Sequence, residues 1–458
     1  MRAGLVVAGI MMVAAVSVLA EEEWPLRLEE IWQTPGEGEE VFAEGFPPPE
    51  IKAVLADTSI PQEDKEWLLN QIRHWAAYRT KQLWLDDGTT MDIPAVRPGD
   101  KVRSFTVYAS RNMKYWLVRV MRIEGPEVPP EPAPPPGGGL TPEFGEAKSA
   151  RLNAQWQQKA HWREVYMDVE GRIYWEKEFG PYNTHLEYEW YGDVVSHISD
   201  DGEVVVKIGA RRGWFCGKAG ECVERNGFSY LQRAALSADG STFVVHTAAG
   251  PYDHRVDFGR TCGLRACDES GELKWASEAV PGGTGGFGGI VDISPDGSRA
   301  VFTAVATGGP EERSGGTLYV VDSQGKTVAS ELMKTTTAEV VMSADGSRMV
   351  AVYRAARLVH IREASTGRLL WEYRTGARIA GVGTSREGEI VAIVEQGGSL
   401  TILSGDGVQL LWVPRPVGER YVSPIGGMGE AIPYLSPDGV FLLEKAVRLQ
   451  FSRLVVQE

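Results

Sequence analysis

Residues Tyr252-Asp253-His254-Arg255-Val256-Asp257 place one imidazole between two carboxylates, a donor set that could ligate a divalent cation or move a proton. A lone histidine among acids is equally ordinary on a solvated loop, and the 7 histidines show no H-x-x-x-H or H-x-H spacing, so no metal site is expected. The run Pro281-GGTGGFGG has the glycine content of a phosphate cradle. No Lys-Ser/Thr follows it and the next element reads as a strand, so no helix dipole would face an anion. Asp296, Asp345 and Asp438 could serve as paired acids, yet each precedes a glycine in a tight turn that accounts for it. No nucleophile elbow or base pairing can be read, and no catalytic or cofactor-binding residue is expected.

Four cysteines fall in two close pairs, Cys216 with Cys222 and Cys262 with Cys267. The first pair flanks the turn Gly217-Lys218-Ala219-Gly220, so its thiols would meet across a hairpin. Two local disulfides are expected, each contributing about 2 to 3 kcal/mol by restricting the unfolded chain. A four-cysteine zinc site is the alternative, though its gaps would be wider than the usual knuckle. Crossed pairings remain open.

The elements that must carry these residues repeat. The phrases HISDDGEVVV, ALSADGSTFVV, DISPDGSRAVF, VMSADGSRMVA, GTSREGEIVAI and YLSPDGVFLLE each join two apolar strands through a turn on Gly202, Gly240, Gly297, Gly346, Gly388 or Gly439. Their spacing of about 40 to 57 residues, with several strands per period, is that of propeller blades. A second phrase, Gly171-RIY-Trp175, Gly271-ELK-Trp275, Gly367-RLL-Trp371 and Gly407-VQLL-Trp412, supplies the turn and last strand of a blade. Six turns predict an all-β, six-bladed propeller, with seven blades as the alternative if a degenerate copy precedes residue 190. Closure is expected between the strands at Val165 and Arg172 and the last strands of the chain.

These phrases, with acids at Asp168, Asp268 and Glu363 ahead of the glycine, resemble the repeats of quinoprotein-like (PQQ-type) and WD-repeat-like propellers of bacteria, over residues 160–458. The resemblance implies architecture. Quinoprotein dehydrogenases in that group resemble eight-bladed rings that hold the quinone beside calcium, often under a disulfide of adjacent cysteines. This chain shows fewer blades, no adjacent cysteines and no identifiable calcium site, so no cofactor is expected, and a quinone-dependent or other enzyme with an axial active site is the alternative function.

Residues 1–20 read as a signal peptide cut after Ala20, with an uncleaved anchor as the alternative, so a periplasmic or secreted protein is expected. Residues 21–124 read as a small N-terminal α+β module, with a capping box at Ser59 and Gln62 ahead of a helix that presents Trp67, Leu68, Ile72, Trp75 and Ala76 on one face. Residues 125–150, rich in proline and glycine, read as a linker, with a polyproline-recognition target as the second reading, and residues 151–458 as the propeller. A net charge of -15 with no Lys/Arg run disfavours nucleic acid.

The A-to-B and C-to-D turns are uniformly short, whereas the long insertions fall at the opposite ends of the strands, where rigid rings carry binding loops. Candidate binding residues are therefore Tyr252, Asp253, His254, Arg255, Asp257, Arg260, Glu311, Arg313, Arg415, Arg420 and Tyr421. The expected function is a non-catalytic scaffold for a protein or peptide partner.

Overall fold

The computed structural model describes residues 24–34, 42, 45–97, 99–100, 102–133, 141–183, 195–209, 212–226, 234–247, 261–277, 280–281, 291–305, 316–333, 339–343, 345–354, 356–396, 399–414, 433–445 and 449–457. The described residues start with β1 (Leu26–Gln33), α1 (Pro49–Ala56), α2 (Gln62–Thr80) and the hairpin β2 (Gln82–Trp84) and β3 (Thr90–Asp92). Blade one follows as β4 (Val102–Ala109), β5 (Tyr115–Glu124), α3 (Pro142–Gln157), β6 (Lys159–Asp168) and β7 (Ile173–Asn183). Blade two is β8 (Val195–Ile198), β9 (Val204–Ile208), β10 (Arg212–Gly217) and β11 (Cys222–Asn226). Blade three is β12 (Ala234–Leu236), β13 (Phe243–Thr247), β14 (Thr261–Cys267) and β15 (Leu273–Ala276), with the short β16 (Val280–Pro281) beside it. Blade four is β17 (Val291–Ile293), β18 (Arg299–Val305), β19 (Gly316–Asp322) and β20 (Thr327–Met333). Blade five is β21 (Glu339–Met342), β22 (Arg348–Tyr353), β23 (Leu358–Glu363) and β24 (Leu369–Arg374). Blade six is β25 (Ile379–Thr384), β26 (Ile390–Glu395), β27 (Leu400–Ser404) and β28 (Gln409–Val413), and blade seven holds β29 (Tyr434–Leu435), β30 (Phe441–Lys445) and β31 (Leu449–Val456).

Each blade is an antiparallel meander, and its first strand lies beside the first strand of the next, from β4 and β8 through β25 and β29. Among the described residues there are seven four-stranded units, one more than the repeated turns predict. The additional unit is blade one, whose A-to-B turn reads Ser110-Arg111-Asn112-Met113. Ser110 Oγ donates to Asn112 Oδ1 at 2.7 Å, and the Lys114 amide donates to the same oxygen at 3.0 Å. Ser199 and Asp201 make the matching contacts in blade two, at 2.6 Å and 2.9 Å. Asn replaces Asp, and Met113 takes the glycine's place at φ 62°, so the turn survives without its signature.

The Gly-x-x-x-Trp phrase has a packing cause. A Cβ on Gly220 would lie 3.0 Å from Trp175 of blade one, and one on Gly407 would lie 2.7 Å from Trp371 of blade five. Each tryptophan thus presses on the C-to-D turn of the following blade, where only glycine fits.

Four expectations are corrected. Residues 102–124 form no separate module, because β5 pairs with β6 over ten consecutive positions, from Tyr115 with Asp168 to Glu124 with Lys159. The proline-rich stretch is consequently a connection inside blade one rather than a linker between modules. The ring closes through β1, which pairs antiparallel with β31 from Leu26 with Val456 to Gln33 with Gln450. The expected capping box is absent: Pro61 is the N-cap of α2, and Ser59 donates to Asp57 Oδ1 at 2.7 Å instead.

The helices fill the seam between blades seven and one. Trp67, Leu68, Ile72 and Ala76 of α2 pack with Phe441, Leu443 and Phe451 of blade seven. Ala77, Leu83, Ile93 and Ala95 pack with Phe105, Trp116, Val118, Val165 and Met167 of blade one. These two sheets therefore meet through a helical wedge. No helix among the described residues is long and apolar enough to cross a membrane.

Cys216 and Cys222 face each other across the β10–β11 hairpin, with Cα atoms 4.0 Å apart, and are bonded as expected. The second disulfide does not form. Cys262 and Cys267 lie on the single continuous strand β14, five positions apart, which puts their Cα atoms about 16 Å from each other, beyond the reach of a bridge. Cys267 is a buried free thiol, and burial together with Asp268 pushes it up to about 11. Replacing Cys216 and Cys222 together by serine should lower stability by about 2 kcal/mol, the entropy of a short closed loop, measured as a shift of the urea midpoint.

Candidate functional site

The two ends of the ring differ in what they leave available. At one end, the A-to-B turns bond to each other from blade to blade. Asp200 N donates to Ala238 O at 2.6 Å, Ala238 N to Pro295 O at 2.8 Å, Asp345 N to Arg386 O at 3.0 Å, and Arg386 N to Pro437 O at 2.8 Å. Blade one joins this belt through Asn112, whose amide donates to Asp200 Oδ1 at 3.0 Å. The belt reaches the wedge where Asp438 N donates to Asp64 Oδ1 at 3.1 Å. Glu66 of α2 adds an ion pair to Lys114 at 2.8 Å, and Glu63 pairs with Arg386.

Arg111 of blade one reaches across the ring at this end. Its Nη2 donates to Leu236 O of blade three at 3.2 Å, and to Ile293 O and Asp292 Oδ1 of blade four at 3.2 Å and 3.3 Å. Asp292 also accepts from Met342 N of blade five at 2.9 Å, and burial raises its carboxyl above the usual range despite Arg111. One guanidinium therefore ties together four blades. This end is closed by its own hydrogen bonds.

His197 on β8 is enclosed beside Phe243, and burial and Arg111 push it down to about 4. His246, which bonds Thr303 O at 3.1 Å, is likewise pushed down to about 4 by burial. Both are neutral in the fold and titrate near 6.5 when unfolded. A base depressed in this way contributes stability above the unfolded value and loses it as pH falls toward the folded value. Each group should account for a loss of roughly 3 kcal/mol between about pH 6.5 and 4. Urea titrations across that range should therefore show a flatter pH dependence for His197→Phe/His246→Phe than for the parent chain.

The turn carboxylates titrate lower. Burial raises Asp239, Asp296 and Asp345, but the serine and amide hydrogen bonds they accept outweigh it and hold them below their ordinary value. They are structural, as the Asp-Gly reading of Asp296 and Asp345 expects.

The opposite end carries the B-to-C and D-to-A connections. Several are long, namely residues 125–158, 184–194, 248–260, 306–315 and 414–433, whereas the A-to-B turns span only 110–114, 199–203, 237–242, 294–298, 343–347, 385–389 and 436–440. All eleven expected binding residues, from Tyr252 to Tyr421, lie outside the described residues. The glycine run after Pro281 lies outside them too. Among the described residues no group of three or more His, Cys, Asp or Glu side chains could hold a metal ion.

What the described residues show at this end is α3. Thr141 caps it, accepting from Phe144 N at 3.2 Å, and none of its residues is buried. Leu152 and Trp156, one turn apart, remain 40% and 46% exposed. Sequence reasoning missed this helix because the prolines before it read as spacer. A capping threonine followed by proline at Thr141-Pro142 was the available signal.

No family model matches the chain, and no curated protein matches it in sequence. Among solved structures, the C-terminal WD40 domain of Sif2 is similar over 81% of this chain and 85% of its own, with 9% identity and a TM-score of 0.46. The Cps50 (Swd1) beta-propeller domain of Myceliophteria thermophila is similar over 78% of this chain and all of its own, with 10% identity and a TM-score of 0.43. The architecture rests on the strand pairing itself.

Proposed function

We propose that this chain is a non-catalytic binding scaffold, exported from the cytoplasm to the periplasm or beyond, that takes a protein or peptide partner on its long-loop end. The observation that carries this reading is the contrast between the two ends. One spends its polar groups on the belt and on Arg111, while the other holds the variable connections and a helix that buries nothing. Leucine and tryptophan one turn apart on that helix keep 40% and 46% of their surface exposed, apolar area that a partner could cover. The quinoprotein-like phrases are accounted for by packing, which makes that resemblance one of architecture.

The test is site-specific photo-crosslinking in the native envelope, with the reactive residue placed at 149 or 153 on α3 and, as control, at 241 or 298 on the turn end. Specific adducts from α3 and none from the turns are expected. Adducts from the turn end alone would overturn the reading. The variant Leu152→Ser/Trp156→Ser should lose those adducts while stability stays within about 0.5 kcal/mol, since neither side chain is buried.

A further inference from the structure

The connection between β5 and β6 leaves blade one at Gly125 and returns to it at Gln158. These ends touch: a Cβ on Gly125 would lie 3.0 Å from Gln157 O. From there residues 126–133 run along α3 without helix or strand pairing. Proline at 126, 129, 130 and 132 fixes φ at each of those positions, and the residue before each of the last three is driven to extended backbone. Such a sequence favours the polyproline II helix, whose three residues per turn place the carbonyls of residues i and i+3 on one edge.

The hydrogen bonds follow that period. Arg151 Nη1 donates to Pro129 O at 2.6 Å, and Gln158 Nε2 donates to Pro126 O at 3.1 Å. One turn of polyproline II spans about 9.3 Å. The span from Arg151 to Gln158, nearly all of it helical, is about 10 Å at about 1.5 Å per residue. The two spacings match, so α3 grips one edge of the proline segment at successive turns and leaves the other edges outward. Glu127, Pro130, Glu131 and Ala133 are exposed, and Pro129 keeps its ring in solvent while its carbonyl is held.

We propose that residues 126–133, braced on α3, are a preformed polyproline ligand for a partner whose groove is lined with aromatic side chains and flanked by basic ones. Aromatic grooves take proline rings because the segment is already ordered and loses little entropy on docking. Basic flanks answer Glu127 and Glu131, and the chain's net charge of -15 favours a partner of that sign. The inference rests on the scaffold reading above and names the partner's chemistry.

The experiment uses the full chain and the crosslinking assay from α3. Two conditions are compared with the parent: the variant Pro129→Ala/Pro130→Ala/Pro132→Ala, and excess synthetic peptide GPEVPPEPA, residues 125–133. Capture is expected to fall by about tenfold in both. A peptide of the same composition in scrambled order should leave capture unchanged, and the crosslinked segment of the partner should contain at least two aromatic residues. Capture that survives the triple variant and the native peptide but is lost in Leu152→Ser/Trp156→Ser would overturn this inference and keep the scaffold. Loss of capture from every loop-end position would remove both. A crosslinked segment without aromatic residues would also overturn the inference.

Discussion

Deleting residues 24–34 should lower the melting temperature by about 10 °C and make the chain self-associate. Removing β1 strips Leu26, Leu28, Ile31 and Trp32, all half-buried, from the last blade. Their partial burial alone is worth about 4 kcal/mol. The deletion also bares the outer edge of β31 over its whole length, a template for pairing between chains. Trp32 further loses its contacts with Phe42 and Phe451, at ring centroid distances of 6.1 Å and 5.9 Å. Size-exclusion chromatography with light scattering and calorimetry would read both effects. Adding residues 24–34 back as a peptide should reverse both effects. A deletion variant with unchanged size and an unchanged melting temperature would show that β1 does not close the ring.

The second large effect is expected from Glu164→Ala, at about 3 to 5 kcal/mol of lost stability. Glu164 is buried between blades one and two, where Oε2 accepts from Lys207 Nζ at 2.7 Å and Oε1 lies 3.4 Å from Arg119 Nε. Lys207 is itself buried, with the rings of Phe179, Trp214 and Trp175 at 5.0, 5.8 and 5.9 Å from its ammonium. Removing the carboxylate leaves that ammonium in a low-dielectric site where, among the described residues, ring faces are the partners that remain. Lys207→Met should cost clearly less, because the same rings close on an apolar chain and Arg119 still neutralises Glu164. Urea midpoints at constant slope decide the ranking. Equal costs for the two substitutions would mean that the pair is not desolvated as a unit.

The repeats made six of the blades legible, because Ser-x-Asp-Gly encodes a turn that needs both a side-chain acceptor and a left-handed residue. Blade one escaped because Asn112 supplies the acceptor and Met113 adopts φ 62°, so the physics was kept and the letters were not. Helix α2 was legible from its apolar face, but its place was not. Nothing in the spacing of Trp67, Leu68 and Ile72 says that the surface they need belongs to Phe441, Leu443 and Phe451, far along the chain. The cysteines show the same limit. Cys216 and Cys222 flank a turn and meet, whereas Cys262 and Cys267, equally close in sequence, are separated by the strand they share. Arg111 carried no signal at all, since its cross-ring bonds to Leu236, Asp292 and Ile293 depend on the diameter of the closed ring.

Because Leu26 pairs with Val456, β1 cannot complete its sheet until the strand roughly 430 positions further along has been made. Contacts of such sequence separation form slowly, and an edge strand left waiting is open to the wrong neighbours. The six intermediate blades can assemble locally as they emerge, yet the circle stays ajar until the final strand arrives. Residues 26–33 of a nascent chain of this design therefore need shelter for longer than the blades between them and β31, and loss of β31 would strand β1 as much as blade seven.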